Sequence, residues 1–199
     1  ANYKNGDKKL SNRIELLAPA GNFECLAAAV QNGADAVYIA GKCFGARSFA
    51  ENFDNDELIR AIDYCHLRGV KAHITVNTLV GDSEFSAAAE YLAFLNSIGA
   101  DAVIVQDMGV ADFILKNLPK LEVHASTQMT VHNSDGVLAL EDIGIKRVVL
   151  SRELSTAELS EISAKTSAEL EVFGHGALCM CYSGQCLMSS IIGGRSGNR

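Results

Sequence analysis

The residues best suited to chemistry crowd into one stretch, EVFGHGALCMCYSGQCLMSS (171–190), where His175 is followed by Cys179, Cys181 and Cys186 among three glycines. Two chemistries use such a set. A thiolate activated by a neighbouring imidazole is a nucleophile, and His175 stands four residues before Cys179. Alternatively, several thiolates in a turn-rich loop ligate an iron-sulfur cluster, which ordinarily takes four cysteines. Clustered cysteines in a chain long enough to bury a core point to metal or thiol chemistry rather than disulfides. The other three, Cys25, Cys43 and Cys65, are spread apart and are expected to be small buried hydrophobes.

A loop of this kind needs a scaffold, and the preceding sequence alternates β-branched runs with longer helical patterns, the order that makes a parallel sheet covered by helices. Strands are expected at 14–18, 36–40, 70–76, 102–105, 122–125, 147–150 and 169–173. Helical stripes lie between them. Over 56–67, Leu58, Ile59, Ile62 and Cys65 recur at helical spacing, as do Phe85, Ala88, Ala89, Leu92 and Leu95 over 84–98. Gly33, Gly69, Gly99 and Gly144 each fall between a helix and a strand, where a left-handed stop suits glycine. The segments GADAVYIA (33–40) and GADAVIVQ (99–106) nearly repeat, so one βα unit recurs along the chain.

The faces of the strands decide between a closed and an open sheet. Lys71, His73, Thr75 and Asn77 alternate with apolar residues in the third strand, and Glu122, His124, Ser126 and Gln128 do so in and after the fifth. A sheet covered by helices on both faces would be apolar throughout. One polar face instead implies a closed interior, so the expected fold is α/β, a TIM-type (β/α) barrel with seven of its eight strands present. No G-x-G-x-x-G or phosphate-loop motif supports an open nucleotide-binding sheet. Residues 1–13 are expected to be a polar leader or appended tail, and 14–199 a partial barrel ending in the cysteine-rich loop, with the remainder of the protein absent. Open edges at the first and seventh strands would invite self-association or coverage.

Active sites of such barrels lie at the carboxyl ends of the strands. Those ends supply Asn22, Tyr38, Arg47, Asn77, Gln106, Asp107, His124, Ser126, Gln128, Ser151, Glu153, Glu171 and His175. Within this ring His124, Gln128, Glu171 and His175 are the expected binding or proton-transfer groups. The chain carries 24 acidic against 17 basic residues, net charge −7, which disfavours a nucleic-acid partner unless basic groups are gathered locally or lie elsewhere in the protein. No run approaches the roughly 18 apolar residues of a membrane span. A cytoplasmic protein with no membrane partner is expected.

The cysteine loop resembles the signature of peptidase family U32, the collagenase-like peptidases, E-x-F-x-x-G-A-L-C-x-x-x-x-G-x-C-x-M-S, matched here by Glu171, Phe173, Gly176, Ala177, Leu178, Cys179, Gly184, Cys186, Met188 and Ser189. The likeness runs from ELLAPAGN (15–22) to IIGGRSGNR (191–199). It implies a TIM-type barrel and brings two functional labels. One is peptidase. The other is hydroxylation of an RNA base, in transfer or ribosomal RNA, or of the ubiquinone ring, with a four-cysteine 4Fe-4S cluster. Under that reading Cys179 and Cys186 match the first two ligands and the other two lie beyond residue 199, while Cys181 is outside the pattern. RNA hydroxylation by the full-length protein is the preferred expectation, because no H-E-x-x-H or G-x-S-x-G motif completes a peptidase site. Peptide cleavage is the alternative, and a non-catalytic binding portion of a larger enzyme the second. This stretch alone is expected to hold no intact cluster, and its loop to be mobile.

Overall fold

The structure is a computed structural model and describes residues 14–46, 51–176 and 180–193. The leader (1–13), Arg47 and Cys179 lie outside the described residues. Seven parallel strands, β1 (Leu17–Pro19), β2 (Ala36–Ala40), β3 (Lys71–Val76), β4 (Ala102–Val105), β5 (Glu122–Ala125), β6 (Arg147–Val149) and β7 (Glu169–Glu171), pair strictly in sequence order. Between them run α1 (Phe23–Gln31), α2 (Asn55–His66), α3 (Phe85–Ser97), α4 (Met108–Asn117), α5 (Ser134–Asp142) and α6 (Thr156–Ser163), and α7 (Met188–Gly193) follows the cysteine loop.

Register explains the alternation. Lateral partners share a face of a parallel sheet, and the pairs Tyr38 with His73, Ile104 with His124, and His124 with Arg147 place one polar set inward. The opposite set, Val37, Ile39, Ala72, Ile74, Val103, Val105, Val123 and Val148, is almost wholly buried beneath the helices. Leu58, Ile62 and Cys65 of α2 and Leu92 and Leu95 of α3 pack on it. Each such Leu or Ile side chain contributes about 1.5–3 kcal/mol by leaving water.

The sheet curls. Arg147 on β6 donates to Glu15, two residues before β1, at 2.6 Å. In a flat sheet five strand spacings of about 4.8 Å would hold them roughly 24 Å apart. The edges stay open, since among the described residues β1 and β7 pair only with β2 and β6. Ile14 and Leu16 beside β1, and Val172 and Phe173 after β7, are exposed there.

Helices begin where side chains satisfy free amides: Asn22, Asp54, Asp107, Asn133 and Ser155 each accept from the third residue of the following helix. The four glycine stops take positive φ. Three strands match expectation residue for residue, and the departures have local causes. Strand β1 starts at Leu17 rather than residue 14 because the Leu16 amide is taken by the Asp35 carboxylate at 2.9 Å. Strand β7 stops at Glu171 rather than 173, with no further strand beside it to continue the ladder. Cysteines 25 and 43 are exposed, against the expectation of burial, and only Cys65 of the three sits in the core. Cys25 falls in the first turn of α1 and Cys43 in the loop after β2, neither of which faces the sheet.

Candidate active site at the barrel mouth

Inside the curled sheet the ionisable groups form two linked sets. The Arg147 guanidinium, 8% exposed, donates to Glu15 at 2.6 Å and to Glu169 at 2.6 and 2.9 Å, and stands 3.5 Å from Glu171. Burial alone would raise the Glu15 carboxyl, but the Arg147 hydrogen bond and the Arg147 and Lys71 charges outweigh it and hold it low. Glu171 is the opposite case. Burial dominates, Arg147 only partly compensates, and its pKa is raised, so this carboxyl takes a proton more readily than an ordinary glutamate.

Beside them His73 and His124 meet edge to face at 4.8 Å, each 1% exposed. Burial pushes His73 down to about 4 and His124 to about 2, with neighbouring positive groups adding to the effect. Both imidazoles are therefore neutral near pH 7. The register pairs His124 with Arg147, whereas Glu171 pairs with Val149, so His124 sits one inward position below the mouth. Neither of its ring nitrogens has a hydrogen-bond partner among the described residues, and Nε2 stands 3.6 Å from Glu122.

At the mouth much of the expected ring has structural work. Asn22 and Asp107 cap α1 and α4, Asn77 accepts the Ala46 amide at 3.0 Å, and Ser126 accepts the Gln128 amide. A different subset remains available. The Thr127 hydroxyl donates to the Leu150 carbonyl and the Leu150 amide to the Glu171 carbonyl, which brings the ends of β5, β6 and β7 to one level. In the segments after β5 and β6, Gln128 Oε1 and Ser151 Oγ are buried side-chain atoms without a hydrogen-bond partner, and the buried Glu171 Oε2 has Arg147 at 3.5 Å. Buried polar atoms are normally satisfied, so the pair that follows β5 and β6 marks a place for a ligand's polar edge. Across the mouth a cavity of about 510 Å³ is lined by Gly21, Asn22, Phe23, Lys42, Glu51 and Asn52 among others. His175 lies exposed beyond β7.

The cysteine loop closes over this side. Ser183, fully buried, donates its amide to Glu153 at 2.8 Å and its hydroxyl to the same oxygen at 3.1 Å, while its carbonyl accepts from Thr130 at 2.8 Å. The described part of the loop is thus fastened to the barrel by hydrogen bonds. Cys181 and Cys186 are half-buried. Thiolate donors suit an iron-sulfur cluster in kind, but among the described residues no group of three or more His, Cys, Asp or Glu side chains could hold a metal ion.

The sequence matches peptidase family U32 over residues 21–199. The chain belongs to peptidase family U32. It is 41% identical over 189 residues to the 23S rRNA 5-hydroxycytidine C2501 synthase of Escherichia coli, covering 95% of this chain and 28% of that protein. It is 37% identical to tRNA hydroxylation protein P1 of Bacillus subtilis, covering 98% and 46%, and 42% identical to an uncharacterized protease of Methanocaldococcus jannaschii, covering 93% and 46%. The chain therefore spans less than half the length of these relatives. A solved U32 peptidase superposes with a TM-score of 0.70 at 16% identity, over 86% of this chain and 73% of that one, and supports the fold. Among the described residues no helix is long and apolar enough to cross a membrane.

Sequence reasoning placed Gln128 and Glu171 correctly at strand ends but missed Arg147, Thr130 and Ser183. Arg147 opens a strand whose other residues are apolar, RVVL (147–150), and that oddity was the available clue.

Proposed function

We propose that the complete protein hydroxylates a base of ribosomal or transfer RNA, and that the β5–β7 side of this barrel mouth receives that base. The observation that carries the reading is the pair Gln128 Oε1 and Ser151 Oγ, buried and without hydrogen-bond partners in the segments after β5 and β6, beside the strand end that carries Glu171. A base taken out of its stack is held by hydrogen bonds to its edge in a pocket that excludes water. Gln128 and Ser151 supply acceptor and donor groups for such an edge, and Glu171, with its raised pKa, holds or releases a proton there. A 4Fe-4S cluster would draw on Cys179 and Cys186 with two further ligands from elsewhere in the complete protein, and would supply redox chemistry. Because this chain carries −7, the basic surface for RNA belongs to other parts of the protein, and binding weakens steeply with salt.

Peptide hydrolysis has in its favour the protease name of the Methanocaldococcus relative. Against it stands the sequence, in which no H-E-x-x-H or G-x-S-x-G motif supplies a zinc site or a serine elbow.

The test is nucleoside mass spectrometry of total RNA from a deletion strain complemented with the full-length protein or its variants. Hydroxylated nucleoside should vanish in the deletion and with Cys186→Ser, and should fall at least about 100-fold in initial rate with Glu171→Gln. Unchanged modification in the deletion, together with peptide cleavage by metal-free protein, overturns the reading in favour of the peptidase.

A further inference from the structure

The cysteine loop is seated on the barrel by a compact set of contacts centred on Ser183 and Gly184. The Glu153 carboxylate receives the Ser183 amide and hydroxyl, and the Arg152 amide and Nε donate to the Ser183 hydroxyl at 3.2 and 3.3 Å. Thr130 donates to the Ser183 carbonyl and accepts from Gln185 Nε2 at 3.2 Å. Thr130 itself adopts φ 60, an unusual conformation for a β-branched residue, which aims its hydroxyl at the loop. Gly184 has φ 75, and a Cβ there would collide with the Gln128 carbonyl oxygen and stand 2.7 Å from Thr130 Oγ1. Only glycine allows the loop to lie this close to the backbone of Gln128.

We propose that Thr130, Glu153, Ser183 and Gly184 are positioning residues, a clasp that sets the 180–186 loop against the Gln128 end of the mouth and so fixes where Cys181 and Cys186 are presented. The clasp joins three separate loops, after β5, after β6 and after β7, across as many as 53 residues of chain. It is built from oxygen and nitrogen groups, so it seats the loop without a metal and serves the cysteines whichever reaction they take part in. Gly184 of the family signature thereby acquires a physical reason.

The experiment is residue-resolved alkylation of the complete protein, stripped of metal, by a small maleimide with mass-spectrometric readout. Exposed Cys25 reports reagent activity, and buried Cys65 reports loss of the fold. Ser183→Ala and Gly184→Ala should raise the labelling rate of Cys181 and Cys186 by about 3- to 10-fold, the span expected for losing one or two net hydrogen bonds, with Cys65 still protected. Thr130→Ala should do the same, and Thr130→Ser, which keeps the hydroxyl, should restore the wild-type rate. Should Gly184→Ala expose Cys65, the Ser183→Ala and Thr130 pair decides. Labelling of Cys181 and Cys186 within twofold of wild type in Ser183→Ala and Thr130→Ala overturns the clasp, as does exposure of Cys65 in every variant.

Discussion

Replacing Arg147 by Met should cost about 3 kcal/mol of stability at pH 8, and the cost should shrink as the solution is acidified. The Glu15 bond, 2.6 Å long with side chains 8% and 29% exposed, is charge-assisted and shielded, a kind that contributes about 1.5–3 kcal/mol. The Glu169 bond is equally short, but that carboxylate is 65% exposed and screening reduces its share to at most about 1 kcal/mol. Glu171, 19% exposed, loses the only cation within 4 Å that the described residues offer it. The sign with pH follows from the carboxyls. With Arg147 in place Glu15 is held below its ordinary 4.5, so its contribution is present above that value and fades as pH falls through the folded value. Without Arg147 burial is unopposed, Glu15 and Glu171 both rise, and protonation relieves them as pH drops. Urea unfolding followed by circular dichroism from pH 8 to 5 measures the gap between wild type and Arg147→Met. Arg147→Lys, which keeps the charge but not the fork of donors, should fall between. A gap below about 1 kcal/mol at pH 8, or one of the same size at pH 5, would refute the argument.

Two further expectations concern the interior and the loops. Because His124 is held near 2 and His73 near 4 against an ordinary 6.5, both gain a proton only on unfolding, so stability falls as pH drops below 6.5. His124→Phe should reduce the uptake on unfolding near pH 5.5 by about one proton, read from the slope of stability against pH, and an unchanged slope would count against the buried neutral imidazole. Asn77→Ala removes the acceptor of the Ala46 amide and should cost about 0.5–1.5 kcal/mol, with faster hydrogen exchange confined to the loop after β2. Exchange there equal to wild type would show that Asn77 does not anchor the loop.

What could be read from the sequence and what could not divide along the range of the interactions. Strands β2, β4 and β5 were legible to the residue because β5 alternates in polarity over Glu122–Ala125, while β2 and β4 are short apolar runs bounded by Asp35 and Gly41 and by Asp101 and Gln106. Strand β1 was not, since its start is set by Asp35, a residue 19 positions away. The same distinction runs through the site. Glu171 ends β7 and Gln128 follows β5, positions that strand direction alone supplies. His124 was credited to the mouth on the same ground, yet its depth is fixed by pairing with Arg147, and alternation within a strand tells which face a residue takes but not how far along the neighbouring strand its partner lies. The clasp lies furthest from view: Thr130 and Ser183 are 53 residues apart, and neither is unusual where it stands. Gly184 was the exception. Two residues before Cys186 in a loop already rich in glycine, it looked like one more turn residue, whereas the close approach of the Gln128 carbonyl makes it a contact point between the cysteines and the barrel. A glycine fixed at one spacing from a cysteine is thus better taken as evidence of a surface pressed against it than of a chain left free to move.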